Sequence, residues 1–328
     1  MSSTFMQYDS LFHAKKGNPV DVPIPPCPLA DTHGHLTAFR KLDPAAAVAR
    51  AALAGVRLLV VPVDPSDDVE DVPRFLLWLQ GVVNDAAKLL EEATRHNMVP
   101  PSFANYEDVP SLLDNVYFVA GIHPYGAQKF MQDPAVRTRL QELLASERCV
   151  GLGEFGLDYG PWNELLPKDQ MDAFRIQLRM AHELELPVEL HLRDGKNDTC
   201  AHDDALRILE EEGVPAAGCD LHCFTSGLDV MRPFVELGAH IAFGGAATFA
   251  RSESIRSAAV DCPSDLLLSE TDSPYMAPVP LRGQECEPAM VAFSAECVAN
   301  AREAAGVATR EQTYESLWRN ACDFFGLH

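Results

Sequence analysis

Two histidines one residue apart, His33 and His35 in Ala30-Asp31-Thr32-His33-Gly34-His35-Leu36, are the first residues of this chain equipped for chemistry. The apolar segment Pro28-Leu29-Ala30 leads into them and reads as the end of a β-strand. Side chains alternate along a strand, so both imidazoles point the same way. Neutral imidazole is the commonest protein ligand for zinc, manganese and related ions, and two from one strand end make half of a metal site. The other half has to come from elsewhere in the chain. Glu154, His191, His222 and Asp272 each stand just past an apolar run. Taken singly, each has an ordinary structural explanation: a turn carboxylate, two core histidines and a helix cap. Together, four histidines and two carboxylates suit two divalent ions. His33, His35 and Asp272 can hold one, His191 and His222 the other, and Glu154 can span both with its two oxygens. A pair of ions about 3.5–4 Å apart lowers the pKa of a water and clamps the attacking and leaving oxygens of a hydrolysis.

These positions matter only if one architecture brings them together. Short apolar runs at about 28–33, 56–62, 116–120, 149–153, 187–191, 219–222, 240–243 and 265–269 read as strands. Helical patterns separate them at 44–53, 75–95, 134–146, 168–184, 202–212, 229–237 and 253–260, and helices at about 288–305 and 311–325 end the chain. Eight alternations predict an α/β fold, a (β/α)8 TIM-type barrel with additional helices and an N-terminal extension. Catalytic groups in such barrels sit at the C-terminal ends of the strands, which is the position the six residues share. An open, doubly wound sheet is the rival, but no Gly-rich dinucleotide fingerprint follows any strand. The 328 residues accommodate one barrel of about 250 with additions. We therefore expect a polar, Pro-containing extension over 1–27, read as a surface arm. A single hydrolase domain over 28–328 follows, with an insertion at about 64–115 placed to reshape the barrel mouth.

Composition narrows the function. A net charge of −22 argues against a broad nucleic-acid groove, which relies on Lys and Arg neutralising phosphates. It leaves room for a phosphate-cleaving enzyme, because bound cations reverse the sign of an acidic pocket locally. No 18-residue apolar run spans a membrane, and nothing at the N-terminus marks export. Nine scattered cysteines, none spaced C-x-x-C, read as reduced thiols, so a cytoplasmic location is expected.

Six motifs in order give the chain a family resemblance. They are His33-Gly34-His35, Gly121-Ile122-His123-Pro124, Gly151-Leu152-Gly153-Glu154-Phe155-Gly156-Leu157-Asp158-Tyr159, Pro187-Val188-Glu189-Leu190-His191-Leu192-Arg193, Leu221-His222-Cys223-Phe224-Thr225-Ser226-Gly227 and Leu266-Leu267-Leu268-Ser269-Glu270-Thr271-Asp272-Ser273-Pro274-Tyr275. Together they resemble the TatD-like metal-dependent deoxyribonucleases of the amidohydrolase superfamily. Pro280-Leu281-Arg282-Gly283, Glu287-Pro288 and the stretch from Asn320 to Gly326 continue the match, which covers nearly everything from about residue 28 onward.

The resemblance implies a (β/α)8 barrel and a centre of two divalent ions (Mg, Mn or Zn). It also implies hydrolysis of phosphodiesters, commonly as a 3′→5′ exonuclease on DNA ends, with RNA as a further substrate. Carried over by motif, His33, His35, Glu154, His191, His222 and Asp272 take the ligand roles. Glu154 bridges, and Asp272 orients or deprotonates the attacking water. Arg193 and Arg282 are the expected holders of phosphate oxygens, His123 and Tyr125 the expected substrate-facing pair, and Glu270 a support for a ligand histidine. The chain departs from the family where Tyr125 replaces a frequent His and Cys286 a frequent Asn. A metal-dependent amide or ester hydrolase, such as an aminoacyl-tRNA deacylase, is the alternative on the same centre. A binding protein with a vestigial site is a third reading, opposed by the complete ligand set.

Overall fold

The computed structural model describes residues 8–196 and 198–327. A small hairpin comes first, β1 (Phe12–His13) paired antiparallel with β2 (Pro19–Val20). Eight parallel strands follow: β3 (Leu29–Asp31), β4 (Val56–Val63), β5 (Val116–Ala120), β6 (Cys149–Asp158), β7 (Val188–Arg193), β8 (Cys219–Leu221), β9 (His240–Phe243) and β10 (Leu267–Ser269). They lie side by side in chain order from β3 to β10. First and last strands meet: Thr32 donates its N–H to the Ser269 carbonyl at 3.1 Å, and the Ser269 hydroxyl donates to the Ala30 carbonyl at 3.0 Å. A parallel bridge between Gly34 and Ser273 continues the seam, so the sheet closes into the expected barrel.

Helices wrap this barrel where the sequence places them. Between β3 and β4 runs α1 (Pro44–Leu53), with Asp43 accepting from the N–H groups of Ala45 and Ala46 and proline in its first position. Gly55, in the left-handed region at φ +97°, then turns the chain into β4. The helix α2 (Val72–Arg95) is capped by Asp71, and its buried residues Phe75, Leu79, Val82, Val83 and Ala86 repeat at helical spacing. α3 (Ala127–Gln132) and α4 (Pro134–Leu144) lead to β6, α5 (Pro167–Leu184) to β7 and α6 (Cys200–Glu212) to β8. α7 (Leu228–Glu236) and α8 (Glu253–Asp261) complete the ring. α9 (Val291–Ala304) and α10 (Arg310–Phe324) close the chain, α10 entered through a Thr309–Gln312 capping box.

Three local readings change. Strand β6 continues five residues beyond its expected end and β7 two, so Glu154 and His191 lie within strands rather than just past them. The described part of the 1–27 arm is anchored, because Phe12 is buried against Phe293 and lies under the Arg50 guanidinium. The 64–115 segment divides between the two ends of the barrel. Asp64, Asp67 and Asp68 line the mouth, while Asn105, Tyr106 and Val109 lie beside Trp318 of α10, near the start of β5. No helix among the described residues is long and apolar enough to cross a membrane.

Candidate metal centre

The seam between β10 and β3 fixes the first part of the site. Asp31, fully buried, accepts from the Thr271 N–H at 2.8 Å and from its hydroxyl at 2.7 Å. Burial pushes the Asp31 carboxyl up to about 8, against those bonds. The link locks the end of β3 to the segment that carries Asp272, whose N–H donates to the His33 carbonyl at 2.9 Å. Asp272 and Cys223 have φ of 54° and 48°, in the left-handed region that non-glycine residues occupy rarely and mostly near functional sites.

The imidazoles are oriented from behind. His33 is buried and donates from Nδ1 to Glu189 Oε2 at 3.2 Å, which leaves the lone pair on Nε2. That Nε2 faces His35 Nε2 at 3.3 Å. On the opposite side His191 Nδ1 faces His222 Nε2 at 3.2 Å, and Glu270 Oε2 stands 4.0 Å behind His222 Nδ1. Glu270 also accepts from the Cys223 N–H at 2.6 Å through its other oxygen.

Glu154 lies between the two histidine pairs. Its Oε2 is 3.7 Å from both His33 Nε2 and His35 Nε2. Its Oε1 is 2.5 Å from His191 Nδ1 and 2.9 Å from His222 Nε2. Asp272 Oδ1 lies 3.7 Å from His35 Nε2. Potential ligand atoms fall into overlapping groups within 4.8 Å: His33, His35 and Glu154; His33, His222 and Asp272; Glu154, His191 and His222; and, on the outer side of His191, His123, Asp158 and His191. The structure therefore gathers all six residues singled out as ligands at one rim.

The electrostatics suit cations. Burial works against a charged Glu154, yet His222, His123 and His191 hold it well below the usual carboxylate range. Burial lowers His33 well below an ordinary imidazole, with His222 adding to the effect, so its nitrogen keeps a lone pair. Burial also opposes charge on His191, but Glu154 and then Asp158 raise it to about 9. A positive charge is thus demanded between these carboxylates, and among the described residues no Lys or Arg pairs with Glu154 or Asp272. Imidazoles facing one another in pairs with a carboxylate between them fit a pair of divalent ions, which would take the place of the proton that His191 holds without them.

The remaining expected residues separate. His123 and Tyr125, on the turn after β5, and Arg193, at the end of β7, line a cavity of about 870 Å³ over the centre. His123 Nδ1 accepts from the Tyr125 N–H at 3.2 Å, so a neutral ring carries its proton on Nε2, which points toward Glu154 Oε1 at 3.7 Å. Burial, reinforced by His191, lowers His123 to about 3 and keeps it neutral. Arg282 does not line this cavity; its guanidinium lies 4.2 Å over the Phe249 ring. Two participants escaped the sequence reading. Asp158 places Oδ2 3.4 Å from His191 Nε2, and Glu189 orients His33. Both sit inside strands, where only the partner in space reveals them. The lone Trp162 in the cavity wall carries no spacing signal at all.

A family model described as TatD related DNase matches residues 30–326. The uncharacterized metal-dependent hydrolase YcfH of Escherichia coli K12 is 41% identical over 211 residues, 64% of this chain and 74% of its own length. YabD of Bacillus subtilis 168, also named an uncharacterized metal-dependent hydrolase, is 37% identical over 191 residues, 58% of this chain and 71% of its own. The 3′-5′ ssDNA/RNA exonuclease TatD of Klebsiella pneumoniae is 32% identical over 183 residues, 56% and 66% of the two chains. Among solved structures, the TatD homologue YJJV of Escherichia coli shares the fold with a TM-score of 0.69 at 24% identity, covering 92% of this chain and all of that one.

Proposed function

The chain belongs to the TatD-related DNase family and is a metal-dependent hydrolase, and from that premise we propose that it cleaves phosphodiesters at nucleic-acid strand ends, as a 3′→5′ exonuclease. The observation that carries this reading is the division of Glu154 between two histidine pairs beneath an open cavity. We assign one ion to His33, His35 and Asp272, the other to His191 and His222, with Glu154 shared. Mg, Mn and Zn are the candidate ions, which when bound would polarise the phosphate and activate water. Residues 28–328 form the hydrolase unit on this reading.

The chain's own groups then divide the remaining work. Asp272 orients the attacking water and takes its proton; burial raises its carboxyl although His222 and His35 pull it down, which makes it a better proton acceptor than an exposed aspartate. His123 presents Nε2–H to a phosphate oxygen, because Tyr125 occupies its Nδ1. Arg193 holds a second phosphate oxygen from the cavity wall. No covalent enzyme intermediate is needed.

Chelation is expected to abolish hydrolysis of a short labelled oligonucleotide, and Mg, Mn or Zn to restore it. Full activity in excess EDTA refutes the reading. Blocking the 3′ end is expected to stop digestion and blocking the 5′ end to spare it. One observation favours a second reading: the exposed Asp67 and Asp68 outnumber Lys129 at the mouth, which disfavours a polyanion and admits a small acyl substrate. Assays of phosphodiester and aminoacyl ester substrates side by side separate the two.

A further inference from the structure

Trp162 is 70% exposed although Arg193 covers one face of its ring, with the guanidinium 4.4 Å from the ring centroid. The indole therefore turns an open face to the cavity it lines. The support beneath it is built in. A Cβ at Gly160 would stand 2.8 Å from Arg193 Nε and 2.8 Å from Asp158 Oδ1, so the glycine makes room for the arginine to lie flat. Across the mouth Tyr275, 53% exposed, stands edge-on to His35 with centroids 6.1 Å apart. Trp162 follows β6 and rests on a residue of β7, the fourth and fifth strands of the barrel. Tyr275 follows β10, beside β3, on the opposite side. Both aromatics line the cavity that also contains Glu154.

We propose that Trp162, braced by Arg193, is a stacking subsite for an unpaired nucleobase next to the scissile phosphate, and that it makes the enzyme select single-stranded ends. This rests on the strand-end reading above. An indole face binds any base with little sequence preference, but only a base lifted off its neighbour and its partner strand. Stacking on the ring face leaves the edge of the arginine for phosphate, so one unit grips base and backbone together. The exposed Asp67 and Asp68, which outnumber Lys129 on that wall, disfavour further phosphates. Affinity then has to come largely from the base face, because Arg193 and Lys129 are the two Lys or Arg side chains among the described residues that line the cavity.

The test uses the full chain with Mg2+ and a phosphorothioate-linked oligodeoxythymidylate, which resists cleavage. Among the three tryptophans, Trp318 is 8% exposed and Trp78 half-buried, so Trp162 dominates any contact quenching. Saturable quenching of emission is expected for wild type. It should vanish in Trp162→Phe and with an abasic strand of the same length. On cleavable single strands, Trp162→Ala is expected to raise KM about ten-fold and to change kcat by less than about two-fold. Trp162→Phe should restore most of KM, and wild type and Trp162→Ala should coincide on abasic ends. No quenching in wild type, quenching by the abasic strand, or an unchanged KM in Trp162→Ala overturns the subsite. Base-dependent quenching in a wild type that cleaves no phosphodiester supports the subsite and overturns the nuclease reading instead.

Discussion

The two ends of the barrel handle buried charge in opposite ways. At the end where the strands begin, Arg302 of α9 is 1% exposed. It donates to the Ala259 and Cys262 carbonyls at 2.7 and 2.8 Å and to the Ser264 hydroxyl at 2.7 Å. Asn320 beside it donates to the Ser264 and Leu267 carbonyls at 2.8 and 2.9 Å. These side chains satisfy backbone acceptors that burial would otherwise strand. At the mouth the buried polar groups face one another. One oxygen of Glu189, both of Asp220 and one of Glu270 lack a hydrogen-bond partner among the described residues, and burial raises all three carboxyls well above their ordinary range. Polar groups spent on backbone acceptors stabilise, although Arg302 Nε itself lacks a partner among the described residues; carboxylate oxygens left over and crowded around histidines keep stability low in order to hold something else.

The sharpest way to break this contrast is to remove the shared carboxylate. Glu154→Gln is expected to lower kcat/KM about a thousand-fold or more while leaving a folded barrel, because its partners are functional rather than structural. Steady-state kinetics and far-UV circular dichroism together decide it. Activity within ten-fold of wild type would remove Glu154 from the centre. Arg302→Met should do the reverse. Stranding three buried acceptors is expected to cost about 3 kcal/mol in urea unfolding, with kcat/KM per folded molecule unchanged.

The pH dependence of stability separates the ends more finely. Burial pushes Asp31 up to about 8 and Asp64 up to about 7, and Glu154 with Asp158 raises His191 to about 9 against its burial. Each of these groups holds its proton more tightly in the folded chain than in the unfolded one. The native state therefore binds more protons, and stability falls as pH rises through those values. Buried His33 and His123 act oppositely, but their effect is complete by the ordinary imidazole value of 6.5. At the strand-start end arginine stays charged throughout, and burial lowers His240 in the same sense as His33, so that end adds no falling slope over the interval. Metal-depleted protein is thus expected to lose melting temperature between about pH 6.5 and 8.5. Asp31→Asn should flatten that slope, and a melting temperature that rises over the interval would contradict the assignment.

The same contrast explains what could be read without coordinates. Apolar runs such as Val116–Ala120 and His240–Phe243 and the helix Pro44–Leu53 are where the pattern places them, because burial of repeating faces is a local signal. The six converging residues were legible through their shared position after apolar runs. Glu189 and Asp220 were not. They sit in adjacent strands as paired neighbours, facing inward where apolar residues are expected, and their meaning lies in His33 and in each other. The reach of β6 to Asp158 was hidden because Glu154, between Gly153 and Gly156, reads as a turn carboxylate, which ended the expected strand at 153 although Gly151 and Gly153 lay inside it. The glycines are close approaches to neighbouring strands: a Cβ on Gly153 would stand 2.7 Å from that of Glu189, and one on Gly156 2.1 Å from the His191 carbonyl oxygen.

Gly160 offers the smallest and most selective perturbation of the mouth. Its φ lies outside the left-handed region, so alanine fits the backbone there without strain. The added methyl meets the Arg193 side chain and the Asp158 carboxylate, and the flexible arginine is the one that yields. Displacing it removes the brace under Trp162 and moves the guanidinium from the phosphate, while Glu154 and the ligand histidines are untouched. Gly160→Ala is expected to raise KM for a single-stranded oligonucleotide about three-fold with little change in kcat, metal affinity or melting temperature. Arg193→Lys, which keeps the charge but loses the flat stack, should reproduce that KM and add little to it in the double variant. Additive effects would mean that Gly160 acts through Asp158 and His191 instead, and kcat would then fall along with metal affinity.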